Sequence, residues 1–357
     1  VHDTFRSSLD AIAEAIVRRS AAPVVACGVA VRRESGWFEA VSSDGALLFD
    51  LASLTKPFTA VALAEEPDFL GRRLGDALPL VAGEPGGAAR LARVLGHRAG
   101  FDAHVSLFLP AVQGGPVDPR AALCHAARCF HPAARPADED SPAVYSDLGY
   151  MLAGAALARR EGAQHAGAAL EAGLLARLGL LGELGTAAGL RERLADAEAR
   201  FVPTEHAPWR GGVARGAVHD DNAWVLTGHG ASGHAGLFGT VTGVLAFGRA
   251  ALESWRRGAG PLAHVPFARL LAEQPETTWR MGFDGKAKEG PSTAGATASA
   301  RSVGHLGFTG TSVWMDPDRE AVTVLLTNRV HPSRAFNALR ELRGAAHDAL
   351  FALADRA

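Results

Sequence analysis

Ser53 and Lys56 stand three residues apart in Leu51-Ala-Ser-Leu-Thr-Lys-Pro-Phe58. On a helix, positions i and i+3 share a face, so a serine at the helix entrance and a lysine one turn on can bring Oγ and Nζ together. A serine hydroxyl is a weak nucleophile until a neighbouring base takes its proton. A lysine serves as that base when burial or nearby positive charge depresses its pKa. The same spacing also fits a capping serine and a surface lysine, so the pair alone does not decide the chemistry. Pro57 removes one helical hydrogen bond, which is tolerable near a helix start.

Two further segments add groups of the right kind. In Val144-Tyr-Ser-Asp-Leu-Gly-Tyr150, Tyr145 and Asp147 precede an apolar helix. A hydrogen-bonded tyrosine beside a lysine is a workable proton shuttle, though Ser146 or Asp147 also reads as a plain N-cap. In Gly304-His-Leu-Gly-Phe-Thr-Gly-Thr-Ser312, Gly307 would let a substrate lie close to a strand edge. Backbone N–H groups at that edge can face a developing oxyanion; a β-bulge with a solvent-facing His305 is the simpler alternative.

Taken in order, Ser53-x-x-Lys56, Tyr145-Ser146-Asp147 and His305-Leu306-Gly307 resemble the three motifs of the serine β-lactamases and penicillin-binding proteins. The resemblance is to the class C-like branch, with its DD-peptidase, D-aminopeptidase and esterase relatives. Val94-Leu-Gly-His-Arg-Ala-Gly-Phe101 is similar to that branch's LLxHxSG segment, with Ala99 where serine is usual. The resemblance implies that Ser53 forms an acyl-enzyme, that Lys56 and Tyr145 share proton transfer, and that His305 lines the opposite wall. It implies an oxyanion hole from the backbone N–H groups of Ser53 and Phe308. Asp147 departs from the usual asparagine and cannot donate an amide hydrogen bond; it could attract an amine or hold Lys56 charged. His305 departs from lysine and removes a permanent cation, which counts against strong β-lactam turnover.

Other signals are weaker. Gly228-His-Gly-Ala-Ser-Gly-His-Ala-Gly-Leu-Phe238 resembles a GHAGLF segment of one hydrolase subgroup, and His234 either lines the cleft or caps a helix. His219-Asp220-Asp221 admits a metal reading, disfavoured because adjacent acids point opposite ways on most backbones. Cys124, His125, Cys129 and His131 cluster without the spacing of a zinc knuckle. With Cys27 they make an odd, low count that argues against a disulfide framework. No metal and no cofactor is expected. The absence of a G-x-S-x-G elbow disfavours an α/β-hydrolase.

Hydrophobic patterning places these residues. Residues 5–19 read as a helix with Phe5, Leu9, Ile12, Ile16 and Val17 on one face. Val24–Val31 and Trp37–Val41 read as strands, and Gly304–Met315 and Ala321–Asn328 as a hairpin turning at 316–319. Residues 235–255 and 335–355 read as helices. Residues 66–234 are alanine- and leucine-rich, with few strand signals. The predicted fold is α+β: an antiparallel sheet flanked by terminal helices, with an inserted, mostly helical lobe. The sheet lobe would comprise 1–65 and 235–357, the helical lobe 66–234, with the site in the cleft between them.

Bulk properties narrow the function classes. The 357 residues are 48% hydrophobic and 21% charged, with a formal net charge of -2. There is no basic block, so no footprint for nucleic acid, and no apolar run of membrane-spanning length. Residues 1–20 do not read as a signal peptide, which favours the cytoplasm. A chain beginning at Val1 leaves open a removed leader and a periplasmic or secreted protein. The partner expected is a small-molecule or peptide substrate, and the oligomeric state is not legible. The expectation is a serine hydrolase acting on esters, small amides or D-amino-acid peptides, with weak β-lactam hydrolysis possible. A binding protein that kept the fold and lost activity is the alternative.

Overall fold

The computed structural model describes residues 2–20, 22–135, 139–335 and 337–357. Its main sheet has six antiparallel strands: β1 (Val25–Arg33), β2 (Gly36–Val41), β3 (Asp284–Gly285), β4 (Val303–Leu306), β5 (Ser312–Asp316) and β6 (Ala321–Thr327), in the order β2-β1-β6-β5-β4-β3. The two ends of the chain meet at its centre, where β1 pairs with β6 from Val25↔Thr327 to Val31↔Ala321.

Both faces of these central strands are covered, so their residues read as nearly continuous apolar runs. On one face Val25, Cys27 and Val29 of β1 and Leu325 of β6 pack against α1 (His2–Ser20) and the last long helix, α6 (Leu339–Ala354). On the other, Ala26, Ala30, Val322 and Val324 join a core with Val244 and Phe247 of α5 (Val241–Arg257). Burial on the first face pushes the Cys27 thiol up to about 12. His347 of α6 is buried between Ser312 Oγ (2.8 Å) and Thr323 Oγ1 (2.9 Å), fixing that helix to the sheet. Val17, expected on the buried face of α1, is 37% exposed.

Two boundaries differ from the sequence reading. The helix expected from residue 235 starts at Val241, because Thr240 is its N-cap and accepts from Gly243 N. Before it, Gly236 at φ 113° turns the chain away from helix, and Phe238–Gly239 pairs with Phe49–Asp50 and with Leu184–Gly185. The strand expected over Gly304–Met315 is two strands, β4 and β5, with a turn between them closed by Gly310 N→Gly307 O and Gly307 N→Thr311 O. His305 therefore sits near the end of β4, just ahead of that turn.

Residues 66–234 contribute mainly helices, including α3 (Asp147–Arg160) and the short α4 (Asp221–Leu226). One apolar core runs on from the sheet through α2 (Thr55–Ala64) into α3, joining Phe58, Leu63, Leu148 and Leu152. In the cysteine–histidine cluster Cys124 Sγ lies against Leu80 O, while Cys129 Sγ lies 3.7 Å from His125 Nε2. Among the described residues no helix is long and apolar enough to cross a membrane.

Candidate active site

Ser53 lies in a 3₁₀ turn, Ala52–Leu54, that leads straight into α2. Ala52 has φ 47°, a left-handed conformation that costs an alanine about 1–2 kcal/mol. Asp50 holds it there. Its buried carboxylate accepts Ala52 N–H (2.8 Å) and His219 N–H (2.7 Å), while its carbonyl accepts Thr309 Oγ1–H (2.7 Å). The Ser53 turn, the 219 loop and the turn after β4 are thus tied through one residue. Burial raises the Asp50 pKa, and its partners at His219 and Ala52 oppose that rise.

Lys56, one turn later, is fully buried, and its Nζ lies 2.9 Å from Ser53 Oγ and 2.7 Å from Asp147 Oδ1. The ammonium lies 4.7 Å from the Tyr145 ring centroid, and Tyr145 lines the same cleft as Ser53. Ser53, Lys56, Tyr145 and Asp147 therefore form one connected cluster.

Its charge state differs from the expectation of a depressed lysine. Burial pulls the Lys56 pKa down, but the Asp147 charge and the Tyr145 oxygen push it further up, and it ends above its ordinary value. Burial pushes Asp147 up, and Lys56 with His104 more than reverses this, leaving it well below the usual carboxylate range. Tyr145 is raised, by burial first and by Asp147, against the opposing pull of Lys56. At rest the cluster is an ammonium–carboxylate pair beside a neutral phenol.

Tyr145 is placed by a residue the sequence reading quoted but gave no role. His97 takes φ 59°, and its carbonyl accepts Val144 N–H (3.0 Å) while its Nδ1 accepts Ser146 N–H (3.0 Å). Its ring packs on that of Tyr145 (centroids 4.7 Å apart), and Trp279 covers both. Burial, then the Lys56 charge, hold His97 well below its ordinary pKa, so Nδ1 stays an acceptor. Ser146 is the N-cap of α3, accepting from Gly149 N.

His305 is buried in the facing wall, its ring centroid 6.0 Å from that of Tyr145. Nδ1 lies 2.8 Å from Leu306 O, so it carries the proton and donates, and Nε2 is buried without a partner among the described residues. Burial, then the Lys56 charge, push its pKa down to about 3, so the ring is neutral. Gly307 lines the cleft and is also required by internal packing. A Cβ there would lie 2.0 Å from Thr311 Oγ1 and 2.5 Å from Leu51 O. Ser53 and Phe308 line the same cleft, and neither spends its backbone N–H on a neighbour among the described residues.

His234 does not line the cleft. Its side chain is buried, with Nε2 2.9 Å from Asp220 Oδ1, while its carbonyl lies 3.4 Å from Lys56 Nζ. The segment is strapped to α2 by Thr59 Oγ1→Gly233 O (2.9 Å) and Leu237 N→Thr55 Oγ1 (3.2 Å). Close packing and backbone bonds, not ligand contact, account for its small residues. Asp220 and Asp221 diverge as expected: Asp220 caps α4, and Asp221 pairs with Arg210 and Arg334.

The cleft has a volume of about 740 Å³ and a lining rich in charged residues. Asp147, Asp220, Asp221 and His104 line it together with Arg329, Arg334, Arg340 and Arg343. His104 Nδ1 lies 3.7 Å from Asp147 Oδ2, and that carboxylate raises the imidazole pKa.

Comparison with known proteins places this arrangement. The chain is 36% identical over 120 residues to proteins named putative D-alanyl-D-alanine carboxypeptidase in Salmonella agona (strain SL483) and Salmonella typhi; the match covers 32% of this chain and spans only 27% of theirs. A class C β-lactamase structure superposes with a TM-score of 0.68 at 14% identity, covering 99% of this chain and 97% of that one. The class C β-lactamase of Rhodobacter sphaeroides gives 0.66 at 17%, covering 97% and 99%, and SurE gives 0.64 at 20%, covering 97% and 76%. These likenesses establish the β-lactamase/transpeptidase fold. A family model described as Beta-lactamase matches residues 9–347, and the chain belongs to that family.

Proposed function

We propose that the protein is a serine hydrolase that works through an acyl-enzyme on Ser53. The observation that carries this reading is the 2.9 Å contact between Ser53 Oγ and the fully buried Lys56 Nζ. The substrates proposed are carboxylic esters, small amides and D-amino-acid peptides, with β-lactams turned over weakly. The carboxypeptidase name of the Salmonella relatives supports the peptide side of this reading.

The chemistry follows from the proton count. With Lys56 an ammonium and Tyr145 a phenol, nothing beside Ser53 accepts its proton. Attack requires the Lys56–Tyr145 pair to hold one proton fewer, as a neutral amine beside a phenol or an ammonium beside a phenolate. In that state Oγ bonds to the substrate carbonyl carbon while its proton passes to the pair. The carbonyl oxygen becomes an oxyanion facing the N–H groups of Ser53 and Phe308. As the intermediate collapses, the pair returns that proton to the departing oxygen or nitrogen. Water then repeats the sequence on the acyl-enzyme, with Ser53 leaving. Neutral His305 packs the wall and contributes no charge.

The test is covalent labelling. A fluorophosphonate should label the protein stoichiometrically, and Ser53→Ala should abolish it; stoichiometric labelling of the folded Ser53→Ala variant would overturn the reading.

A further inference from the structure

The two backbone N–H groups placed in the oxyanion hole come from segments far apart in the chain, one just ahead of α2 and one just after β4. A backbone donor is aimed only as well as its neighbours are held. Ala52, which precedes Ser53, and Thr309, which follows Phe308, are both bonded to Asp50. Asp50 Oδ1 accepts Ala52 N–H (2.8 Å), and Asp50 O accepts Thr309 Oγ1–H (2.7 Å). Asp50 Oδ2 accepts His219 N–H (2.7 Å), and the His219 ring stacks on the Phe308 ring, with centroids 5.8 Å apart. One residue on, Leu51 O accepts Thr311 Oγ1–H (3.0 Å). Asp50, Thr309 and Thr311 are all buried.

Asp50 is itself fixed from behind. It pairs with Phe238 in a short ladder, and Leu51 N–H donates to Leu237 O (2.9 Å). A buried carboxyl group costs free energy that an apolar residue would not, so its presence calls for a reason. None of these bonds reaches Lys56 or Tyr145. Two of them end on the residue next to an oxyanion donor, and one of those two holds an alanine at φ 47°, a conformation glycine adopts freely. A carboxylate suits the task because it only accepts, and it offers a separate oxygen to each of two N–H groups.

We propose that Asp50 is a positioning residue for the oxyanion hole: its carboxylate aims the Ser53 N–H, and its carbonyl, through Thr309, aims the Phe308 N–H, so that both donors converge on one substrate oxygen. The inference rests on the Ser53 reading and deepens it. Asp50 touches no reacting atom; it keeps two donors in register while charge develops between them. Preorganised donors of this kind act on the transition state more than on bound substrate. Misaiming one of them therefore lowers kcat and leaves KM nearly unchanged.

The experiment uses the full chain and its Asp50→Ala, Thr309→Val and Thr309→Ser variants, with Ala52→Gly added to Asp50→Ala as a fourth. Each is acylated with 1-cinnamoylimidazole under rapid mixing, and the infrared carbonyl band of the cinnamoyl ester is recorded. Steady-state kcat and KM are measured on nitrophenyl acetate. Asp50→Ala and Thr309→Val should each lower kcat by about tenfold or more and change KM by less than about threefold. Both should move the band to higher wavenumber, because the carbonyl oxygen is less polarised. Ala52→Gly should restore part of the kcat lost in Asp50→Ala, and Thr309→Ser should behave as the native chain. A loss of kcat with the band unmoved would make Asp50 a support of the fold alone and overturn the proposal. Native kcat in folded Asp50→Ala and Thr309→Val would overturn it too. If Asp50→Ala does not fold, Thr309→Val against Thr309→Ser decides, since the valine removes one hydroxyl at nearly constant shape. Failure of the Ser53 reading has a different signature: the native chain forms no cinnamoyl ester band, or Ser53→Ala forms the same band.

Discussion

His97 brackets Tyr145: its carbonyl oxygen and its Nδ1 accept the peptide N–H groups of Val144 and Ser146, one on each side of the tyrosine, both at 3.0 Å. One residue in a left-handed conformation therefore sets the height and the tilt of the phenol above Lys56. The two demands, φ near 59° and an acceptor two bonds beyond Cβ, are met by histidine in its neutral form and also by asparagine.

His97→Leu should fail both demands. Leaving the Ser146 N–H unpartnered costs about 1–3 kcal/mol, and a bulky residue at positive φ adds strain of order 1 kcal/mol. The expected outcome is a fall in kcat of about tenfold or more with KM changed far less, because the tyrosine moves and the cleft does not. His97→Asn should recover most of the loss. Steady-state kinetics on the two variants check this; equal damage to kcat and KM in both would mean that His97 only supports the fold.

The Lys56–Asp147 pair makes a stability prediction. Removing one partner of a buried ion pair leaves the other unpaired, at a cost that reaches about 3–5 kcal/mol for full burial. Asp147 keeps 21% of its side chain exposed, so the lower end applies to Lys56→Met. Asp147→Asn in the same chain should restore much of the loss, since no charge is then stranded. Urea unfolding of the two single variants and the double variant measures the coupling. Additive losses would show that the 2.7 Å contact carries little net energy.

The same pair governs the pH dependence of turnover. On the proposed mechanism the active form has one proton fewer on Lys56–Tyr145, so kcat/KM should rise with pH along an acid limb set by that pair. The negative charge of Asp147 raises both groups and makes that proton harder to remove. Asp147→Asn takes the charge away, so both pKa values fall and the limb should move to lower pH. Each unit of movement corresponds to about 1.4 kcal/mol of interaction removed. His305, at about 3, titrates outside this range and should leave no limb of its own. A limb that stays put in Asp147→Asn would show that another group controls the rate.

Much of this site is legible from spacing alone. Ser53 and Lys56 are three residues apart, and a 3₁₀ turn running into a helix brings them together as a local rule predicts. The strands β1 and β6 are readable because apolar, β-branched runs stand at both ends of the chain. The lysine's charge state is not readable. Spacing suggested a base with depressed pKa, and the group that decides otherwise is Asp147, ninety-one residues further on. The same holds for Asp50, whose carboxylate ties together segments as distant as Ala52 and His219. His234 shows the opposite error: a Gly/His-rich run looks like a ligand loop, yet its imidazole turns to Asp220 and its backbone serves Lys56. Long-range partners, rather than local pattern, set protonation and direction.

Asp147 should also separate substrates. A β-lactam or an acylated D-amino acid presents an amide carbonyl on its acyl side, and an asparagine at this place would donate to it. Asp147 is ionised, holding Lys56 with Oδ1 and standing 3.7 Å from His104 with Oδ2, so it presents only acceptors. A carbonyl brought against it gains no hydrogen bond and meets a like partial charge. A short-chain nitrophenyl ester has no such carbonyl and needs the nucleophile, the proton pair and the oxyanion donors alone. The native protein should therefore show a higher kcat/KM on nitrophenyl acetate than on a chromogenic cephalosporin. Asp147→Asn should change the two unequally. Compared on the plateau above the acid limb, where the proton pair is fully active in both proteins, the ester should change by less than about threefold. The cephalosporin should gain about tenfold, the worth of a new hydrogen bond together with relief of an acceptor–acceptor clash, about 1.4 kcal/mol in all. Equal gains on both substrates would assign the whole effect of Asp147 to the proton pair and none to recognition of the acyl group.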